Sequence, residues 1–165
     1  MRQRRPEVAL TSDIIVGFPG ETDAEFEATI ELLELVEYDE IYAFMYSPRP
    51  QTVSAKLYHD DVHDDVKKVR LKKVQTLQHE ISLAKNRQRV DELDEILLDG
   101  PAKMKNGQMM GRTRTNRIVN VNAPESLTGH IVAVKITGAT ANSLIGEILP
   151  PQGLDSNAQL EGNMA

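Results

Sequence analysis

The apolar positions change their period twice along this chain. Val8-Ala9-Leu10 leads into Ile14-Ile15-Val16, a short run that ends at Gly17 and predicts a strand buried on both faces. Gly17 and Gly20, around Phe18-Pro19, predict a turn. Thr22 and Glu25 have the Thr-x-x-Glu spacing of a capping box, so a helix opens there. Phe26, Ile30, Leu33 and Val36 then follow helical spacing, with acidic residues on the other face. Residues 40–46 predict a second buried strand, stopped by Ser47-Pro48-Arg49-Pro50. Strand, helix and strand in this order make a βαβ unit with parallel pairing. Residues 51–61 read as a polar loop. A long helix is expected over about 63–88, with Val66, Val69, Val74, Leu77, Ile81 and Ala84 near one stripe. Lys67, Lys68, Arg70, Lys72 and Lys73 are assigned to its solvated face.

From about residue 90 the apolar runs become short and β-rich: 95–98, Met109–Arg114, Arg117–Val121, Ile131–Thr137 and Leu144–Leu149. Asp99-Gly100-Pro101, Asn106-Gly107, Asn122-Ala123-Pro124, Gly138 and Asn142 separate them. Five short strands at this spacing predict a small closed or nearly closed β-barrel. Residues 150–165 hold little apolar content and are expected to be disordered. The fold class is therefore α/β followed by all-β, with domains over 1–88 and 89–149 and a tail over 150–165.

Charge sharpens this division. The 165 residues carry a net −6. Residues 1–99 hold 13 basic and 21 acidic side chains, whereas 100–149 hold 6 basic and 2 acidic. A basic module on an acidic chain points to a local anionic partner. No apolar run approaches the roughly 20 residues that span a bilayer, and no signal core follows the basic start, so a cytoplasmic protein without membrane contact is expected. The chain has no cysteine, which excludes disulfides, thiolate metal sites, a cysteine nucleophile and a cysteine-ligated cluster. His59 and His63 have a metal-compatible spacing, but the aspartates around them suit a polar loop and a helix start, so no metal site is assigned. No catalytic constellation is legible.

Three motifs carry candidate chemistry. Gly17–Glu21 sits at the carboxyl end of a predicted parallel strand, where α/β folds bind ligands. Its glycines serve either close approach of backbone to a ligand or turn geometry alone. Tyr42, Phe44 and Tyr46 alternate and would share a face; core packing is the better reading, stacking on a planar group the other. Arg49, between two prolines past the strand end, is either a carboxylate- or phosphate-pairing group or an exposed loop residue. Arg112 and Arg114 have strand period, which would place both on one side and Thr113 and Thr115 on the other. With Lys103, Lys105, Asn116 and Arg117 they form a basic run with few acids nearby in sequence, favouring a phosphate backbone over a merely solvated strand. All seven aromatic residues lie at or before Tyr58, so the barrel has no base-stacking platform and should read backbone and shape.

Arg5-Pro6, Ser12–Thr22, Tyr46-Ser47-Pro48-Arg49-Pro50, Leu77-Gln78-x-Glu80-Ile81, Gly111–Val119 and Ser143-Leu144-x-Gly146-Glu147, in this order, resemble the MiaB-type tRNA methylthiotransferases, a branch of the radical-SAM enzymes. Gln51 departs from the family, which usually has glycine there. The resemblance implies late βα units of a radical-SAM partial TIM barrel, followed by a small OB-like TRAM β-barrel. It implies transfer of a methylthio group to C2 of N6-isopentenyladenosine at tRNA position 37, with S-adenosylmethionine and two [4Fe-4S] clusters as cofactors. Gly17, Gly20, Glu21, Tyr46 and Arg49 would fall on the S-adenosylmethionine side. Lys103, Lys105, Arg112, Arg114, Asn116 and Arg117 would fall on the face toward the tRNA anticodon stem–loop. The cluster cysteines would lie upstream, on the same protein or on a separate cysteine-bearing N-terminal half. Without them this chain is expected to be inactive alone. Two barrel strands would leave edges and a core face uncovered, so the first part is expected to be looser than the β-rich module. The alternatives are a stand-alone RNA-binding TRAM module and a nucleotide-binding α/β enzyme. The second lacks both the Walker lysine and the Rossmann glycine spacing.

Overall fold

The structure is a computed structural model that describes residues 4–5, 8–102 and 107–150. The chain divides into two compact units, one of Met1–Val90 with Ala139–Ser143 and one of Asp91–Gly138 with Leu144–Ala165. The tail expected over 150–165 lies outside the described residues except for Pro150.

The first unit is built as β1 (Thr11–Val16), α1 (Asp23–Val36), β2 (Glu40–Met45), α2 (Val53–Leu57) and α3 (Asp64–Gln88). The two strands pair in parallel from Thr11–Glu40 to Val16–Met45, as the βαβ reading requires. Thr22 and Glu25 form both halves of the expected capping box at the start of α1. His63 caps α3, its Nδ1 accepting the Asp65 N–H at 3.4 Å. The segment read as a polar loop contains the single turn α2, capped by Thr52.

Burial in this unit departs from the sequence reading. Val16, Phe26, Ile30, Leu33 and Val74 form the core, between one sheet face and the helices. Full burial of each such side chain is worth about 1.5–3 kcal/mol. The other sheet face is open: Ile15, Tyr42 and Phe44 are each more than half exposed. Neither strand is therefore buried on both faces, and Tyr42 and Phe44 are not core. Tyr46 does not share their face; it lies past the end of β2 and is buried. On α3, Val66 and Val69 face solvent, while Lys67, Arg70, Val74 and Gln78 are buried.

The second unit is a closed barrel of five strands in the order β3-β4-β5-β7-β6. They are β3 (Leu93–Pro101), β4 (Met109–Thr113), β5 (Ile118–Val121), β6 (Ile131–Ala139) and β7 (Leu144–Ile148). Each falls on one of the five β-rich runs. Alternate residues point inward, and Ile96, Leu98, Met109, Val119, Val121, Val134, Ile136 and Leu144 fill the interior. A register shift between Leu98 and Gly100 bends β3 within its pairing to β4, just past the end of its pairing with β6. Closure leaves no free sheet edge, so the barrel does not share the exposed strands of the first unit.

Candidate cofactor loop and nucleic-acid interface

At the carboxyl end of β1 the chain turns through Gly17–Glu21. Gly17 and Gly20 both have positive φ, 71° and 83°, which glycine adopts without steric cost. They differ in surroundings. A side chain on Gly17 would overlap the methylene stem of Lys67, while one on Gly20 would meet nothing within 4 Å. Gly17 is thus glycine to let Lys67 pass, and Gly20 borders open space.

The loop's polar groups are mostly engaged within the protein. Glu21 Oε2 accepts the Gly17 N–H at 2.6 Å and pairs with the Arg70 guanidinium at 2.6 Å. Arg70 also donates to the Glu21 carbonyl at 3.1 Å and to Asp23 at 2.7 Å. Burial works against the Arg70 charge, but hydrogen bonds to Asp23 and Glu21 outweigh it and raise its pKa above the ordinary value. The Gly20 N–H donates to Asp61 Oδ1 at 2.7 Å. The Glu21 N–H closes the turn on the Phe18 carbonyl at 2.8 Å.

The end of β2 meets this loop. The Tyr46 N–H donates to the Val16 carbonyl at 2.8 Å, and the Tyr46 ring lies edge-on to Phe18 with centroids 5.0 Å apart. The Tyr46 hydroxyl is buried and has no hydrogen-bond partner among the described residues. Gly17, Gly20, Glu21 and Tyr46 therefore converge on one strand end. Arg49 stands in the exposed loop beyond, its carbonyl accepting the Thr52 hydroxyl at 2.8 Å. The sequence reading missed Phe18, Asp60, Asp61, Lys67 and Arg70 here. For the two basic residues a signal existed: Lys67 and Arg70 are in helical phase with Val74 and Gln78.

In the barrel, Arg112 lies on the outer face of β4, with Gly111 and the buried Thr113 on the inner. Arg114 lies beyond the end of β4, in the turn to β5 rather than on the strand as its period suggested. Asn116 holds that turn at φ 64°, and its Oδ1 accepts from Arg112 at 2.9 Å. The Arg117 N–H and carbonyl close the turn on the hydroxyl and N–H of Thr113, at 3.1 and 3.0 Å. The expectation of few neutralising acids holds along the sequence but not in space. Asp99 pairs with Arg112 at 3.1 Å and Glu95 with Arg114 at 2.9 Å, both from β3. Lys103 and Lys105 lie outside the described residues.

Cysteine is the usual ligand of iron–sulfur clusters, and this chain has none. No group of three or more metal-ligating side chains occurs among the described residues either. The chain thus does not fit a cluster. No helix among the described residues is long and apolar enough to cross a membrane.

Residues 88–149 match the model of the TRAM domain, the barrel and the residues that lead into it. Over 156 residues the chain is 44% identical to the tRNA-2-methylthio-N(6)-dimethylallyladenosine synthase of Syntrophobacter fumaroxidans, covering 94% of this chain and 34% of that relative. It is 46% identical over 149 residues to the same-named protein of Trichlorobacter lovleyi, covering 90% and 34%. Against that of Bacillus cytotoxicus it is 46% identical over 144 residues, covering 87% and 28%. The chain belongs to the MiaB-type tRNA methylthiotransferase family and spans about a third of the length of the curated relatives it matches.

Proposed function

We propose that this chain supplies tRNA binding and part of an S-adenosylmethionine site to a tRNA-2-methylthio-N6-dimethylallyladenosine synthase of the radical-SAM class. The reaction is methylthio transfer to C2 of N6-isopentenyladenosine at position 37, in the cytoplasm. The observation that carries this reading is similarity at 44–46% identity running through both units, from the β1 loop to the end of the barrel. In this reading the first unit is a late βα portion of a partial TIM barrel. The exposed sheet face bearing Ile15, Tyr42 and Phe44 supports it, because barrel strands bury both faces only when the barrel is complete.

The barrel takes the anticodon stem–loop through Arg112, Arg114, Asn116 and Arg117, with Lys103 and Lys105. The acids beside the arginines do not forbid this. Arg112–Asp99 and Arg114–Glu95 are partly exposed pairs, worth about 0–1 kcal/mol each, so a phosphate can displace them. A phosphate backbone brings several charges to the same face, together with counterion release. The loop Gly17–Glu21 with Tyr46 and Arg49 faces S-adenosylmethionine. The open space at Gly20 and the orphaned Tyr46 hydroxyl support a ligand there. When bound, that cofactor supplies the methyl group and the radical; the residues of this chain orient it. The two [4Fe-4S] clusters belong to cysteine-bearing sequence outside this chain.

The test is co-expression with a cysteine-bearing N-terminal portion of a relative in cells lacking the modification. Appearance of the methylthio nucleoside in digested tRNA supports the reading. Its absence, with both parts present in soluble form, counts against it. A stand-alone RNA-binding role shares the barrel's tRNA contact but predicts no such rescue.

A further inference from the structure

Residues 58–61, read from the sequence as part of a featureless polar loop, are fastened to the Gly17–Glu21 loop at separate points. Asp61 Oδ1 accepts the Gly20 N–H at 2.7 Å. The Tyr58 ring lies edge-on to Phe18 with centroids 6.0 Å apart. Asp60 holds the Lys67 ammonium through both carboxylate oxygens, at 2.6 and 2.7 Å. The stem of Lys67 in turn fills the space beside Gly17 that a side chain would need.

Lys67 is 1% exposed, an unusual place for a lysine. An ammonium is stable there only when paired. Asp60 supplies the pair, Asp64 adds a carboxylate at 3.7 Å, and the Tyr46 ring lies 5.7 Å from the ammonium. A leucine or methionine would fill the same volume without this arrangement. The pairing ties residue 60 to the helix that abuts Gly17, and residue 61 then reaches the Gly20 amide.

We infer that Lys67, Asp60 and Asp61 are positioning residues that set the shape of the Gly17–Glu21 loop and the placement of the Phe18 ring at the ends of β1 and β2. The inference rests on the reading of this loop as the S-adenosylmethionine side. It also changes how the loop meets a ligand. The Gly17 N–H is taken by Glu21 and the Gly20 N–H by Asp61, so the ligand meets carbonyls, open space and the Phe18 ring rather than those two amides.

The test is amide exchange by NMR on the full chain, with S-adenosylmethionine binding followed in parallel by calorimetry on its complex with the cysteine-bearing N-terminal portion of a relative. Asp61 is exposed, so Asp61→Ala should fold even where Lys67→Met does not. The expected result is about tenfold faster exchange at Gly20 in Asp61→Ala, the worth of one hydrogen bond, with no change in the thermal midpoint of the helices. Asp61→Asn keeps an acceptor oxygen and should restore slow exchange, whereas Lys72→Ala, on the exposed side of α3, should do nothing. S-adenosylmethionine affinity should fall in step with the exchange change. Unchanged Gly20 exchange in Asp61→Ala overturns the inference, as does faster exchange with full affinity. A wild-type complex of the chain with that N-terminal portion that binds no S-adenosylmethionine overturns the reading of the loop instead, and the exchange data alone then decide whether Asp61 shapes it.

Discussion

Replacing Arg70 by methionine should cost the first unit far more than its place in a lysine-rich helix suggests. The guanidinium sits 2.6 Å from Glu21 Oε2, and the two side chains are 6% and 13% exposed. At an effective dielectric of about 20, unit charges 4 Å apart interact by about 4 kcal/mol. Removing one partner of a buried pair leaves the other charge stranded, at a cost of about 3–5 kcal/mol. Its second partner, Asp23, is 94% exposed, so Asp23→Ala should cost no more than about 1 kcal/mol. Glu21→Gln combined with Arg70→Met removes the stranded charge and should recover about 1–3 kcal/mol of the summed single losses. Urea unfolding followed by far-UV ellipticity reads this unit selectively, because α1, α2 and α3 all belong to it. If Arg70→Met costs no more than Asp23→Ala, or if the double variant loses the full sum, the pair is not the buried clamp described here.

Gly17→Ala should destabilise by about 2–4 kcal/mol, adding overpacking against Lys67 to the left-handed backbone penalty, whereas Gly20→Ala should cost only about 1 kcal/mol. Equal losses in urea unfolding would remove the Lys67 stem as the reason for Gly17. Gln51 stands at φ 73°, so Gln51→Gly should raise stability by about 0.4–1 kcal/mol, with no gain as the contrary result. The Glu25 carboxyl lies below its ordinary pKa because it accepts the backbone N–H and the hydroxyl of Thr22. Its contribution to the start of α1 is therefore present above the unfolded carboxylate value and is lost as pH falls through the lower folded one. Glu25→Gln should blunt this acid-dependent loss of helix ellipticity; identical acid profiles would contradict the assignment.

The barrel was the most legible part of the chain. Alternation survives in Val134-Lys135-Ile136 and Val119-Asn120-Val121 because one face of each strand fills the interior. Thr22 and Glu25 gave the start of α1 for a similarly local reason. The first unit misled because its apolar runs imply burial on both faces, while Ile15, Tyr42 and Phe44 face out. An apolar strand signals only that something can cover it. The buried face of α3 was hidden by its own chemistry: Lys67 and Arg70 occupy inward positions where apolar residues are expected, and their partners Asp60 and Glu21 are seven and 49 residues away. The helical phase that Lys67 and Arg70 share with Val74 and Gln78 marks the inward face, but partners at such separations are not named by any period. In the barrel, Asp99 and Glu95 reach the arginines across a strand pair, so charge counted along the chain understated their neutralisation. The departure at Gln51 was visible in the sequence, but its left-handed backbone was not.

The most direct measurement is the salt dependence of anticodon stem–loop binding by the wild-type chain and by the Arg112→Ala, Arg114→Ala, Arg117→Ala variant. For the wild-type chain, the logarithm of the binding constant should fall linearly with the logarithm of salt concentration. In the variant the slope should drop by about 1 for each phosphate that the missing arginines no longer neutralise. An unchanged slope and affinity in the triple variant would contradict the central claim that this face of the barrel holds tRNA.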